Sequence, residues 1–516
     1  MENNSWIGNY SFFRSRISPE KEAVYDYDNE IHYTYGDLEN RANTLANFLV
    51  EKVHVKKGDR IGFCTRNCIE LIDAYFATAK TGTILVTYNQ LLSEHELEKM
   101  IINEKPKVLF YEKTFKDKVS NLKLKVQIEK YIVLAGESEK LEELHYEEIL
   151  DYKNSSYIEC NGLNLEDTHM IIHTGGTTGT PKGAMLSYKC LLFNAISEMV
   201  TYNLTSQDST YVMMPLFHTG AWNVLTLPLL FVGGRIIINK SFDPQLALKV
   251  INDEKPTTLL GVSTIFRMMI NQSEFEATDF SSLRWILSGA APTPVDIMEK
   301  FWEKDLKFVL GYGMTEAGPN NLSMVPDDLG LEGIKEKYDS VGKPMFFNQV
   351  KIVDTKGKEV GVNELGEIIW KGPLTFSGYW NNKEETSNTL KDGWVYTGDI
   401  ARKDNEGFYY IVGRKKNMFI SGGENIYPPE VEKEIYKHPS IHEVCVIGIP
   451  HKKWGEVGKA IVSSKSGEIV EEKEIKEFLK GKIASIKIPR YVEIVDELPK
   501  NSTGKIKREV ICNLYG

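Results

Sequence analysis

The stretch Thr174–Gly183, TGGTTGTPKG, gathers four glycines, four threonines and one lysine just after the apolar run Met170–Ile172. Gly175, Gly176, Gly179 and Gly183 would let the main chain approach a ligand and turn with positive φ. Successive amides in such a turn form an anion-binding concavity, to which Thr174, Thr177, Thr178 and Thr180 add hydroxyl donors and Lys182 a full charge. The chemistry would be phosphate binding, although an ordinary flexible loop has the same composition. The P-loop template GxxxxGK[ST] fails, because the fifth residue after Gly176 is Pro181. Three charged residues stand out further on: Glu316 in GYGMTE, Asp399 in YTGD and Lys505 in NSTGKIK. Alone, they read as a capping glutamate, a turn aspartate and a solvated lysine.

The elements that would position these residues follow an alternating pattern. YGDLENRANTLANFLVEK places Leu38, Ala42, Leu45 and Leu49 at helical spacing. RIGFCT reads as a strand, CIELIDAYFATAK as a helix and TILVTYN as a strand. SEHELEKMIINEK opens with the Ser93/Glu96 capping box, and KVLFYE returns as a strand. This is the grammar of an α/β fold with mostly parallel, helix-covered sheets. It resumes in YVMMP, RIIIN, TTLLGVS, LRWILSG and KFVLGYG, and ligands sit beyond the carboxyl ends of such strands. From about Val341 short strands follow one another with no helix between them, which predicts a small β-rich subdomain over about 341–415. Helices return after GRKKN. The expected organisation is a large N-terminal domain, 1–415, and a small C-terminal α/β domain, 416–516.

A chain of 516 residues exceeds one ordinary core, and 42% hydrophobic with 26% charged residues is the composition of a soluble globular protein. The net charge of -10 argues against a nucleic-acid partner, which would need a basic face. Residues 417–516 carry 16 Lys and Arg against 15 Asp and Glu, so the acidic excess lies on the large domain. The six cysteines form no CxxC pair and read as free thiols in a reducing compartment. MENNSWIGNYSFFRSR has no basic leader before an apolar core, and VLTLPLLFVGG is too short to span a bilayer, so the expectation is cytoplasmic. Peripheral membrane contact and homodimerisation are both compatible with this composition.

Company changes the reading of the glycine–threonine loop. It is followed in order by PLFH at Pro215, SGAAP at Ser288, GYGMTE at Gly311 and GEIIWKGP at Gly366. YTGD at Tyr396, GRKKNMFISGGENIYPPEVE at Gly413 and PKNSTGK at Pro499 complete the series. Together these motifs resemble the acyl-adenylate-forming superfamily of acyl- and aryl-CoA synthetases, peptide-synthetase adenylation domains and luciferase. The resemblance runs from about Tyr33 to Arg508 and is nearest to bacterial fatty acyl-CoA synthetases. It implies that a carboxylic acid is joined to AMP, with release of pyrophosphate, and that the acyl group then passes to a thiol.

On that resemblance Glu316 and Thr174 would hold Mg²⁺, Thr315 would bond the α-phosphate, and Tyr312 would stack on adenine. Gly289, Ala290, Gly311 and Gly313 would line the nucleotide site with the loop residues 174–180 and Lys182. Asp399 would take the ribose hydroxyls, and Arg414 the ribose or phosphate. Lys505 would be the catalytic lysine that bridges carboxylate and α-phosphate. It would be delivered by a C-terminal domain turning about Lys416, and the same rotation would bring Ser421, Gly422 and Gly423 to the coenzyme A tunnel. His218 would border the acyl pocket, and Trp222 would lie where some bacterial long-chain enzymes keep a gate. Two departures stand out: Gly175 replaces a serine frequent in the phosphate loop, and Asn417 stands where an acidic residue is common.

Amino-acid-activating relatives hold the substrate ammonium with an aspartate after PLFH. FHTGAWNVLTLPLL has no acidic residue, and with no carrier-protein segment following, free coenzyme A is the expected acceptor. The leading expectation is a fatty acyl-CoA synthetase using ATP, Mg²⁺ and coenzyme A. The alternatives are an aryl-CoA ligase of the coumarate or benzoate kind and a non-catalytic nucleotide-binding protein of the same fold.

Overall fold

The computed structural model describes residues 6–134, 144–152, 154–175, 181–500 and 506–516. Helix α1 (Tyr35–Lys52) begins at a Thr34/Asp37 capping box and buries Leu38, Ala42, Leu45 and Leu49. Each buried leucine contributes about 1.5–3 kcal/mol. Strand β1 (Arg60–Cys64), helix α2 (Ile69–Thr81), strand β2 (Ile84–Thr87), helix α3 (Glu94–Glu104) and strand β3 (Val108–Glu112) follow. The Ser93/Glu96 box starts α3 as its sequence predicts. Strand β1 pairs in parallel with β2 and β3, and β2 pairs in parallel with β4 (Thr168–Thr174). At the edge of this seven-stranded sheet the chain reverses, and β5 (Lys182–Ser187) returns antiparallel with Thr174 opposite Lys182.

Helix α4 (Tyr188–Thr201) leads to a second sheet of nine strands. At its centre β6 (Ser209–Tyr211), β7 (Thr258–Gly261), β8 (Trp285–Ser288) and β9 (Phe308–Met314) run parallel. Strand β9 reverses through the short turn Thr315–Ala317 into β10 (Gly318–Ser323). Each sheet therefore ends its parallel run in an antiparallel hairpin on this side, and the second sheet has another at its far edge, where Glu22–Asp26 pairs with Ile31–Thr34. Between β6 and β7, the apolar stretch after PLFH forms a π-helix, Ala221–Thr226, continued by an α-helix, Leu227–Val232.

A third, antiparallel sheet holds Gln349–Val353, Gly366–Lys371, β11 (Trp394–Lys403) and β12 (Tyr409–Arg414). One expectation is corrected here: helix α5 (Lys383–Thr389), capped by Asn382, interrupts the stretch read as free of helices. The fourth sheet belongs to the C-terminal region. It contains β13 (Phe419–Ser421) and the long hairpin β14 (Ile441–His451) and β15 (Gly455–Ser464), with α6 (Pro428–Tyr436) packed on β14. Helix α6 also meets the rest of the chain, where Lys433 pairs with Asp339 at 2.6 Å and the Tyr436 hydroxyl lies 3.5 Å from Arg267. All six cysteines are free, and no described helix is long and apolar enough to cross a membrane.

Candidate nucleotide and acyl-transfer site

The two hairpins bring Thr174 and Glu316 together. The Thr174 hydroxyl donates to Glu316 Oε1 at 3.2 Å, and the Tyr379 hydroxyl donates to the same oxygen at 2.6 Å. Glu316 is buried, with Thr315 and Ala317 beside it, and Oε2 has no partner among the described residues. Burial and then the Glu316 carboxylate push the Tyr379 phenol well above its usual range, so it stays a donor. Among the described residues no cluster of three His, Cys, Asp or Glu side chains gathers. One oriented carboxylate oxygen beside a hydroxyl fits Mg²⁺, a hard cation that completes its shell with water and phosphate oxygens.

Glycines shape the second hairpin by contact. A Cβ on Gly313 would lie 2.3 Å from the Pro319 carbonyl oxygen, and one on Gly311 would lie 2.5 Å from Asn320 Oδ1. Gly289 follows β8 with its amide directed at the Gly261 carbonyl, and Ala290 holds a left-handed φ of 64°. That conformation is uncommon for a residue with a side chain. These loops all lie at carboxyl ends of parallel strands, where ligands of open α/β sheets bind.

On the third sheet Asp399 and Arg414 face each other in register, with Arg414 Nε 2.6 Å from Asp399 Oδ1. Tyr312, from β9, donates its hydroxyl to Asp399 Oδ2 and sets its ring 5.3 Å from Trp370. Burial and the adjacent Asp399 carboxylate raise the Tyr312 phenol well above its ordinary value. Residues 87 apart in sequence thus form one polar wall.

Gly176, Thr177, Thr178, Gly179, Thr180 and Lys505 lie outside the described residues. Gly175 is exposed, with open space where a Cβ would go. Lys182 forms an ion pair with Glu385 of α5, and its ammonium sits 5.3 Å from the Tyr379 ring centre. Lys500 and Ile506 form an isolated antiparallel bridge. The Ser93 hydroxyl, and to a lesser degree the Lys507 charge, hold the Glu96 carboxyl below its usual range, so this end of the chain lies near the start of α3. Lys416 is in a short turn, Lys415–Asn417, and pairs with Glu509 at 3.2 Å.

Ser421 is buried in β13, and Gly422 and Gly423 both have positive φ, 56° and 90°. A Cβ on Gly422 would meet Trp454 and Ile486 at 3.0 Å. Trp454 is 38% exposed with the Lys453 ammonium 4.7 Å from its ring, an aromatic and cationic surface that the sequence reading did not single out. His218 is partly buried, with its ring 5.0 Å from Phe217. Trp222 has no exposed surface and stacks on Tyr75 of α2 at 5.5 Å, the environment of a core residue. Tyr379 and Glu385 were also missed, since only their neighbours across space give them meaning.

Parallel sheets covered by helices, with a carboxylate–hydroxyl pair and an aspartate–arginine pair gathered beyond strand ends, define a mixed α/β protein with a polar site at its strand termini. The chain belongs to the AMP-binding enzyme family. Residues 13–380 match that family, and residues 430–505 match the AMP-binding enzyme C-terminal domain. A feruloyl-CoA synthase from Amycolatopsis sp is 34% identical over 99% of this chain and 100% of its own length. A long-chain-fatty-acid–CoA ligase from Bacillus subtilis is 33% identical, covering 95% of this chain and 91% of the relative. The o-succinylbenzoate-CoA synthetase MenE from Bacillus subtilis, solved with ATP and magnesium ion, superposes with a TM-score of 0.84 at 28% identity over 97% of this chain and 98% of that one.

Proposed function

We propose that this protein is an AMP-forming acid–CoA ligase that acts on a compact aromatic acid. The supporting observation is that β9 and the turn after it carry both Glu316, bonded to Thr174, and Tyr312, bonded to Asp399 and through it to Arg414. The acid carboxylate would attack the α-phosphorus of ATP, and pyrophosphate would leave. The thiol of coenzyme A would then attack the acyl carbon, and AMP would leave. Both partners of the first step are anionic, so charge cancellation and positioning govern the rate. Mg²⁺, when bound, would neutralise phosphate charge. Glu316 Oε2 would ligate it, Thr174 would assist, and Thr315 would bond the α-phosphate.

Asp399 would accept from the ribose hydroxyls, which requires the Tyr312 hydroxyl to yield its place and the ring to meet adenine. Arg414 would stay on Asp399 or reach phosphate. Lys505, on a domain turning at Lys416, would serve the first step, and Gly422 and Gly423 would admit the pantetheine in the second. The aromatic and lysine-rich surface at Trp454 and Lys453 supports coenzyme A as acceptor.

The acid class is argued from the wall after PLFH. Its π-helix and strands β6 and β7 border a half-open pocket of about 10 Å³, no larger than one water, lined by Met213, Met214, Ala221, Leu225, Thr226 and Leu260. Trp222 is buried against Tyr75 and does not line it, and the Thr226 hydroxyl is buried without a partner among the described residues. A short planar acid needs less opening of such a wall than a long alkyl chain. Relatives of both kinds align along nearly the whole chain, and a fatty acid is the second reading.

Pyrophosphate exchange with a panel of cinnamic, benzoic and C8–C16 acids, followed by mass detection of acyl-CoA, tests both. Exchange with the aromatic acids at a rate at least about tenfold above the alkyl acids is expected, a ratio worth about 1.4 kcal/mol. The reverse ranking restores the fatty-acid reading. No exchange with any acid, together with retained ATP binding, supports the non-catalytic alternative.

A further inference from the structure

One segment touches both hairpins of the site. Residues Ser377–Trp380 run antiparallel to β5, with Ser377 N donating to the Met185 carbonyl, Met185 N to the Gly378 carbonyl, and Trp380 N to the Gly183 carbonyl. Immediately upstream, Phe376 N donates to the Glu316 carbonyl at 2.9 Å. Trp380 anchors the segment to the first sheet through its Nε1 bond to the Asn103 carbonyl and the Arg60 guanidinium 5.3 Å from its ring. Glu385 lies on the helix that follows.

This placement sets three charges around one ring. The Tyr379 hydroxyl is bonded to Glu316, its face lies under the Lys182 ammonium, and Lys182 is in turn paired with Glu385. The Lys182 side chain is only 14% exposed, so water screens the pair weakly.

We propose that Tyr379 and Glu385 are positioning residues of the polyphosphate site. Tyr379 fixes Glu316 Oε1 so that Oε2 faces the metal. Glu385 is an internal stand-in for the β- and γ-phosphates, holding Lys182 until they arrive. The inference rests on the nucleotide reading given under Proposed function and adds a competition to it: phosphate must take Lys182 from Glu385, and pyrophosphate leaves as Glu385 takes it back. AMP carries neither phosphate and does not enter that exchange.

Calorimetric titration of the full chain with ATP, pyrophosphate and AMP, with and without Mg²⁺, tests this directly. Glu385→Gln should tighten ATP and pyrophosphate about three- to tenfold and leave AMP within error, the range expected when one competing ion pair is removed. Tyr379→Phe should raise the Mg²⁺ concentration needed for half-maximal ATP binding about threefold or more, leaving metal-free ATP and AMP affinity unchanged. Equal changes for all three ligands, or none, overturn the proposal by making the segment a mere scaffold. A wild-type chain that binds no ATP overturns this inference together with the function it rests on. Wild-type ATP binding with an unaltered ATP-to-AMP ratio in Glu385→Gln removes this inference alone.

Discussion

The described ends of the two hairpins differ in their surroundings. The first, between β4 and β5, spans from Thr174 to Lys182, and its described tip residue Gly175 is exposed with open space around it. The second, between β9 and β10, turns within Thr315–Ala317, and Glu316 at its tip is buried and bonded from two sides. A short turn with fixed hydrogen bonds holds a carboxylate within a fraction of an ångström of one position. The contrast is between an exposed glycine at the end of one strand and a buried, doubly bonded carboxylate at the end of another.

The largest effect should come from the rigid side. Glu316→Ala removes the oriented carboxylate and is expected to lower pyrophosphate exchange about 10³-fold, in the range seen when one preorganised electrostatic group is lost. Glu316→Gln keeps the Tyr379 and Thr174 contacts and should lose nearly as much, because charge is what the metal needs. Retention of more than a tenth of the rate in either variant would mean that the carboxylate does not serve the metal.

Steric economy gives the next largest difference. A Cβ on Gly313 would approach the Pro319 carbonyl oxygen to 2.3 Å, a backbone clash that no rotamer relieves. Gly313→Ala should cost about 2–3 kcal/mol in urea unfolding, whereas Gly175→Ala should stay within about 0.5 kcal/mol, as surface changes do. Equal costs at the two positions would erase the contrast between the hairpins.

The roots of the hairpins respond oppositely to pH. His169, at the base of β4, stacks on Tyr188 with the Tyr75 ring tilted against it, and burial drives its imidazole from 6.5 down to about 3 against the Tyr75 carbonyl. The unfolded chain binds this proton first, so the stability is complete above pH 6.5 and falls as pH drops towards 3, by about 1.4 kcal/mol per pH unit. Glu198, beneath β10, is lifted well above 4.5 by burial, with only the Asn320 amide opposing. Its contribution is complete below pH 4.5 and falls as pH rises. Hydrogen exchange between pH 5 and 7 should therefore show Thr168–Thr174 opening first on acidification and Gly318–Ser323 gaining protection. His169→Gln should flatten the acid limb of the unfolding curve.

Legibility in the sequence followed the range of the interactions. The helix Tyr35–Lys52 and the Ser93/Glu96 box were readable because periodicity and capping act within a few residues. Glu316 and Asp399 were readable only as parts of motifs, because their partners Tyr379 and Arg414 arrive from other strands. Tyr379 itself sits in an isolated bridge without a periodic pattern, so no local rule singles it out. Trp222 shows the converse: its place after PLFH pointed to a pocket, while α2 supplied Tyr75 from about 150 residues upstream and made it core. The π-helix around it was hidden because an apolar run has no signature separating i→i+5 from i→i+4 bonding.

The smallest effect tests the exposed side of the comparison. Gly175→Ser adds a hydroxyl where serine is frequent in related phosphate loops, at a position with free space and no positive φ to forbid a side chain. The added hydroxyl can contribute at most one neutral hydrogen bond to a bound phosphate, worth about 0.5–1.5 kcal/mol before it is ordered. The half-saturating ATP concentration should therefore fall by no more than about threefold, with exchange at saturating ATP unchanged. A change of a hundredfold in either quantity would mean that position 175 matters to the site as much as Glu316 does.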